Sequence, residues 1–425
     1  MLQTMRNAWK IEDLRRKILF TLLIILLYRV GNAVPVPYVN VTALNGYFDQ
    51  MQNTVFGLLN VMSGGAFSNA TIFALSIQPY INASIIIQLL TIAIPALERW
   101  SKEEGEEGKK KIASLTRYST VVIGLIQGFA YYMMIKGYGF LVADGQSIWA
   151  AVVIILTFTS GSALIMWLGE QITEFGIGNG ISIILFASII SRFPTDVYRM
   201  IQSAVAGTTP VWITALMLLG ALAMIVLIVF INDSERRIPV QYAKRVVGRK
   251  MYGGQSTHLP MKVNMSGVLP IIFAQSIASL PATVCAFVPK WQNSPLASTN
   301  SIFYAIVYFL LIIFFAYFYS TIQFNPVEVA NNLKKNGGYI PGFRPGRPTS
   351  EFIKKVLNKI TLFGALYLSV IAVVPILIAH FSQSAAMSGV SLGGTSIIIV
   401  VGVALETVRA LEAQMLMRNY KGFLS

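Results

Sequence analysis

The sequence predicts an all-α polytopic membrane protein with ten spanning helices, on three observations. Of 425 residues, 55% are apolar and only 12% are charged, against roughly 25% charged in an average soluble chain. Mean hydropathy is +0.64. Ten mostly apolar runs of about 20 residues, the length needed to cross a hydrocarbon core about 30 Å thick, fall at 18–35, 72–94, 112–136, 148–169, 181–199, 211–231, 265–288, 302–324, 359–380 and 393–412. The placement of positive charge supplies the third observation. With residues at span ends counted beside their loops, 28 of the 33 Lys and Arg lie in the two tails and the even-numbered loops, and 4 in the odd loops. Arg29, inside the first run, completes the count. Positive residues stay on the cytoplasmic side, so both termini are expected there and the number of spans must be even. The same composition excludes disordered, collagen-like and coiled-coil chains.

Taken in order, the first run follows Arg15, Arg16 and Lys17. Gly31-Asn32-Ala33 beyond it also suits a cleaved signal peptide. Arg29 lies between the apolar run and that site, and losing one span would break the even parity. The outer loop, 36–71, has no Lys or Arg and contains an apolar piece, Thr54 to Val61, too short to cross. Ser63, Gly64, Gly65, Ala66 and Ser68 follow it. Two readings stay open: an amphipathic helix on the membrane surface, or a segment that turns back and packs within the bundle. The second loop, from Glu98 through Lys111, reads as a mixed-charge solvated segment. The fifth run is the weakest, because its apolar core from Ile181 to Ile190 is short before Arg192 and Pro194.

Loops six (232–264) and eight (325–358) are far longer than the about 2 to 8 residues that join helices in bundles. Both mix Tyr, Val and Ile with basic residues, and Arg237 through Arg245 reads as a short strand or hairpin. Retention of positive charge alone accounts for any single basic residue, but not for this length.

Chemistry is sparse. No Walker A, GxSxG, HExxH or CxxC motif occurs. Cys285 is the single cysteine, and His258 and His380 are far apart, so neither a disulfide nor a Cys/His zinc site is expected. No cofactor is implied. The glycine run Gly176-Ile177-Gly178-Asn179-Gly180 resembles a phosphate loop superficially, but it follows a membrane span instead of a strand. Charged groups near the spans, Arg29, Lys136 and Glu406, sit close to the ends, where long side chains reach the interface. Uncharged polarity fills the interior: Gln78, Asn82, Gln88, Thr91, Gln127, Ser162, Asn264, Gln275 and Ser276. Such residues are expected to bond between helices, each worth about 0.6 kcal/mol. Aliphatic pairs four apart, Ile81 with Ile85 and Leu185 with Ile189, each share a helix face. They suit ordinary packing, or a constriction that excludes ions by dewetting.

Four strings carry a resemblance over the whole chain: PYINASIIIQLL at 79–90, ITEFGIGNGIS at 172–182, QSTHLP at 255–260 running into KVN at 262–264, and ANNLKK at 330–335 followed by PGFRPG at 341–346. They resemble the SecY family, the channel subunits of the bacterial protein translocon. The resemblance implies two inverted five-helix halves, 1–200 and 201–425, around a central pore that also opens sideways to lipid. It implies a pore ring of Ile81, Ile85, Leu185, Ile189, Ile277 and Ile399, where Leu185 departs from an all-isoleucine ring. A plug over about 54–67 would use Leu58, Leu59, Val61, Met62, Ser63, Gly64, Gly65 and Phe67. Thr91, Gln127 and Asn264 would form the polar cluster of the side gate. Docking residues would be Arg236, Arg237, Lys244, Arg245, Arg249 and Lys250 in loop six and Arg344 in loop eight. Implied partners are SecE, SecG, the motor ATPase SecA, a translating ribosome, preproteins with their signal sequences, and the lipid bilayer of the bacterial cytoplasmic membrane. The activity implied is passage of unfolded chains, not catalysis. A secondary transporter with inverted repeats is the alternative, since Pro79, Pro270, Pro281 and Pro375 fit both readings. The missing mid-membrane charge and the two long loops favour the channel.

Overall fold

Hydrophobic runs become helices here because a backbone in lipid must satisfy its own hydrogen bonds. The computed structural model describes residues 2–50, 54–207, 210–242, 245–247, 250–252, 256–287, 298–299, 301–382 and 385–421. In chain order the helices are α1 (Leu2–Lys10), α2 (Glu12–Gly31), α3 (Val41–Gln50), α4 (Val55–Met62), α5 (Gln78–Ala93), α6 (Pro95–Lys102), α7 (Gly105–Gly137), α8 (Ile148–Phe175), α9 (Gly180–Val205) and α10 (Val211–Asp233). Four strands follow, β1 (Glu235–Tyr242), β2 (Arg245–Val247), β3 (Lys250–Tyr252) and β4 (Ser256–Lys262). Then come α11 (Leu269–Phe287), α12 (Ile302–Gln323), α13 (Pro326–Lys335), β5 (Gly338–Tyr339), α14 (Arg347–Ser382) and α15 (Ala385–Lys421).

Each of the ten apolar runs centres on one helix. Among the described residues, seven helices (α7, α8, α9, α10, α12, α14 and α15) are long and apolar enough to cross a membrane. The pair α5 and α6, bent by 105°, makes an eighth if taken as one span. Ile94 between them is extended (φ −108°, ψ 113°) because Pro95 disfavours helical backbone before it. The other two runs fall short by that measure for different reasons. Helix α2 carries Glu12, Asp13, Arg15, Arg16 and Lys17 in its first two turns, and the apolar part of α11 is confined to Leu269–Cys285. Rows of large apolar side chains face outward, among them Leu19, Leu22 and Leu26 on α2, Leu216, Leu219 and Phe230 on α10, and Phe303, Leu310 and Phe314 on α12. Faces of that size and continuity belong against lipid, since they exceed what a soluble monomer exposes. The molecule is a multi-pass membrane protein.

One element is more ordered than expected. The mixed-charge stretch after Glu98 is a helical hairpin, in which α6 folds back on α7 so closely that a Cβ on Gly108 would stand 1.8 Å from the Trp100 carbonyl oxygen. Exposed ion pairs Lys109–Glu106 (3.1 Å) and Lys111–Glu104 (2.6 Å) line it. The fifth run, expected over 181–199 and the weakest of the ten, is helical throughout: Pro194 lies inside α9, which continues to Val205.

The glycine run after α8 is a tight helix reversal. Gly178 has φ +71°, which favours glycine. Asn179 caps α9 through its side chain, accepting from Ile181 N (3.1 Å) and Ser182 N (3.4 Å). A Cβ on Gly180 would stand 1.9 Å from the Gly169 carbonyl oxygen. That neighbour is backbone and cannot step aside, so Gly180→Ala is expected to destabilise by about 3 kcal/mol, the upper part of the overpacking range. Thermal unfolding of the purified variant in detergent checks this, with a sharply lowered midpoint as the expected result.

Loops six and eight fold together. β4, β1 and β5 form one sheet in that order. β1 pairs antiparallel with β4 from Glu235↔Lys262 to Gln241↔Ser256, and Gln241 and Tyr242 pair with Tyr339 and Gly338 of loop eight. Alternation along β1 buries Ile238 and Val240 and leaves Arg237, Pro239 and Gln241 exposed. The buried face joins Met261, Ala330, Ile340, Ile353 and Leu357 in a small core of its own. Helix α13 starts where Asn325 caps the amides of Val327 and Glu328 and Pro326 takes the first turn.

Candidate pore, plug and side gate

Six aliphatic side chains from four helices meet in one apolar cluster. Ile81 and Ile85 come from α5, Leu185 and Ile189 from α9, Ile277 from α11 and Ile399 from α15. Ile81, Ile85, Leu185, Ile189 and Ile399 are between 1% and 6% exposed, and Ile277 packs half-buried against the same cluster. Leu58 and Met62 of α4 belong to the cluster, with Val61 against it. The short outer segment therefore belongs to the same apolar core as the six side chains expected to form a pore collar. No residue from 54 to 70 is exposed, whereas a helix on the membrane surface would keep one face wet.

Beyond α4 the chain turns through Gly64 (φ +68°) and Gly65 (φ +91°). The turn holds itself with its own polar groups: Asn60 Oδ1 accepts from Ser68 N at 3.0 Å and Ser63 Oγ from Phe67 N at 3.0 Å. Leu59 packs half-buried on a second cluster, where Phe67 lies with Phe48, Phe56 and Phe158. The Phe67 ring stacks on Tyr131 with centroids 4.3 Å apart.

Among the described residues, the three expected gate residues do not bond to one another, and Thr91 and Asn264 bond to nearer groups. Thr91 Oγ1 donates to the Gln88 carbonyl at 2.6 Å. Asn264 Nδ2 donates to Asn232 Oδ1 (2.9 Å) and to the Gly267 carbonyl (3.2 Å). Gln127 is half-buried on α7. The bond that crosses from α5 to α12 uses residues outside that set: Tyr319 Oη donates to Gln88 Oε1. The Tyr319 ring meets Phe273 of α11 at 5.2 Å, so one side chain touches the helices on both sides of the seam. Gln88 stood out in the sequence as interior polarity, but nothing marked Tyr319 among the aromatics of α12. The interhelical bonds expected of Ser162 and Ser276 are absent, since both Oγ atoms are buried without a hydrogen-bond partner, as is Gln275 Oε1.

Among the docking candidates, Arg236 and Arg237 are exposed on β1, and Glu235 Oε1 pairs with Arg237 Nε at 2.7 Å. Arg344 is exposed in a turn whose glycines, Gly342 and Gly346, have φ +87° and +107°. Arg245 and Lys250 lie on β2 and β3 and pair with Tyr252 and Val247. Lys244 and Arg249 lie outside the described residues. The base of the sheet is tied to the helices by Arg409, which bonds the Asn232 carbonyl and Asp233 Oδ1, both at 2.6 Å. Burial and the nearby Arg409 guanidinium hold the Lys262 amine below its usual range.

A family model described as SecY matches residues 71–408. The protein translocase subunit SecY of Streptomyces scabiei is 46% identical, with 100% of this chain and 100% of that protein covered. The chain belongs to the SecY family. Solved structures agree with this fold at low sequence identity. A SecY protein whose plug domain stabilises the closed state of the translocation channel aligns with a TM-score of 0.67 at 16% identity, covering 94% of this chain and 92% of that one. The idle yeast Ssh1 complex bound to the yeast 80S ribosome aligns with a TM-score of 0.61 at 16% identity, covering 96% and 89%. The SecY family thus supplies the frame in which the collar and the buried segment are read.

Proposed function

We propose that this chain is the protein-conducting subunit of a bacterial translocase, passing unfolded preproteins across the cytoplasmic membrane and releasing apolar helices sideways into it. Full-length identity of 46% to a protein translocase subunit carries the reading. The burial of Leu58 and Met62 in one cluster with the six collar residues supports a plug seated in a closed pore. In this reading ten spans form inverted halves, 1–200 and 201–425, with both termini in the cytoplasm. Such a channel is a conduit and not a catalyst.

The chemistry of the collar suits the task. A pore that passes thousands of unrelated chains gains nothing from fixed charges or hydrogen bonds, each of which would trap some sequences. Deformable aliphatic side chains grip none of them, and when closed they stay dry and oppose ion flow. A signal sequence is an apolar helix, so it gains free energy by moving from water to lipid through a side opening. The chain carries no Walker A motif, so the driving force comes from SecA or a translating ribosome docked on the shared unit of loops six and eight. SecE and SecG complete the complex. Proteoliposomes holding the chain with SecE and SecG test this: SecA and ATP should carry a preprotein to a protease-protected interior only when its signal sequence is intact. Uptake of small solutes without any preprotein transport would favour the transporter.

The side gate yields its own prediction. Tyr319→Phe keeps the ring against Phe273 and loses the bond to Gln88, a change of about 1 kcal/mol. That shifts a closed-to-open balance about fivefold. Preproteins with shortened signal sequences should cross about fivefold more readily, and unchanged selectivity would place the clasp elsewhere.

A further inference from the structure

Three segments far apart in sequence meet at one buried hydroxyl. Tyr28 of α2 is fully buried, its ring stacked on Phe73 with centroids 5.7 Å apart. Its Oη lies 2.6 Å from Ser188 Oγ of α9 and donates to the Ser63 carbonyl at 3.3 Å. Asn32 Nδ2 reaches the same carbonyl at 3.4 Å. Ser63 ends α4, where helix carbonyls lose their partners within the helix. The next residue, Gly64, lies so close to α9 that a Cβ there would stand 2.9 Å from the Ser188 carbonyl oxygen. Ser188 directly precedes the collar residue Ile189. On the other side of the turn, Tyr131 of α7 donates to the Phe67 carbonyl.

Apolar packing at position 28 needs only a ring, and phenylalanine would supply it. The oxygen does something else. With the segment seated, Tyr28 gives its proton to Ser63 and can accept that of Ser188. With the segment withdrawn, Tyr28 can give its proton to Ser188 Oγ, which turns its own to the Ile184 carbonyl, 2.8 Å away. Both arrangements leave the Tyr28 and Ser188 hydroxyls satisfied, so opening orphans neither of them and avoids that part of the penalty.

We propose that Tyr28 and Ser188 form a reversible catch that seats the plug against α9. They are positioning residues, acting through residues 63 and 64, and the proposal rests on reading 54–67 as the plug. Tyr28→Phe keeps the ring stack and removes the catch.

The test is ion leakage through proteoliposomes carrying the complete translocase at rest, compared with a channel lacking residues 57–67. Tyr28→Phe should raise leakage about fivefold, the shift expected from losing one buried hydrogen bond, whereas Ser188→Ala keeps the bond to Ser63, removes the partner that Tyr28 needs when the segment is withdrawn, and should leak no more than the parent. The double variant should leak like Tyr28→Phe alone, and neither substitution should add to the leakage of the plug-deleted channel. If the deletion leaks while Tyr28→Phe seals like the parent, the catch is wrong and the plug reading stands. If Tyr28→Phe raises leakage further in the deleted channel, the hydroxyl acts elsewhere and the catch is wrong. A deletion that does not leak removes the plug reading and the catch together.

Discussion

Replacing Ile85 and Ile189 together with serine should raise the ion conductance of the resting channel by at least about tenfold. The two side chains come from α5 and α9 and are 3% and 6% exposed. Each contributes about 1.5–3 kcal/mol of apolar burial, and in the proposed pore it is their apolar surface that would keep a narrow passage dry. Serine is smaller and polar, so both changes invite water, and ions follow. Ile85→Val with Ile189→Leu keeps the chemistry and should leave conductance within about twofold, because such swaps preserve most of the volume. Potassium flux from loaded proteoliposomes reads the difference. Equal flux through the serine and aliphatic variants would show that the seal is not made by this collar.

Charge reversal at Arg344 should separate docking from sealing. Its exposed side chain lies in a turn with two glycines at positive φ, and Thr349 Oγ1 donates to its backbone carbonyl at 2.8 Å, a contact that does not use the side chain. Arg344→Glu therefore leaves the fold in place. It puts a negative charge where the docking reading needs a positive one, at a cost of at least about 2 kcal/mol or about thirtyfold in affinity. SecA-driven transport should fall by that order while resting leakage stays unchanged. Binding of the parent to ribosomes should weaken as salt rises, because phosphate contacts release counterions. Arg344→Glu with undiminished transport would move docking away from loop eight.

What the sequence disclosed, and what it withheld, divides along the range of the interaction. Hydropathy is local, so every apolar run centred on a helix, and the apolar piece after Thr54 was visible as too short to cross. Its burial was not legible, because the helices it packs against, α9, α11 and α15, lie more than a hundred residues away. A strand or hairpin within 237–245 could be read from the mixture of Tyr, Val and Ile with basic residues, and β1 covers Glu235–Tyr242, but its pairing with Tyr339 could not be read. Gln88 and Tyr319 meet across 231 positions, and no local pattern links them. The charged stretch after Glu98 looked merely solvated because the hairpin depends on Gly108 against the Trp100 backbone. Arg192 and Pro194 made the fifth run the weakest reading, yet α9 runs past both. The first run is marginal as a span for a reason visible at the outset, the charges of Glu12 through Lys17.

The central claim is that translocating polypeptide passes through the collar. A photoreactive probe at Ile189, in membranes carrying an arrested secretory chain with its signal sequence intact, tests it most directly. A crosslink between position 189 and the arrested chain, lost when the signal sequence is defective, is the expected result. A probe that reaches only neighbouring helices or lipid, while a probe at Arg344 still captures SecA or the ribosome, would contradict it.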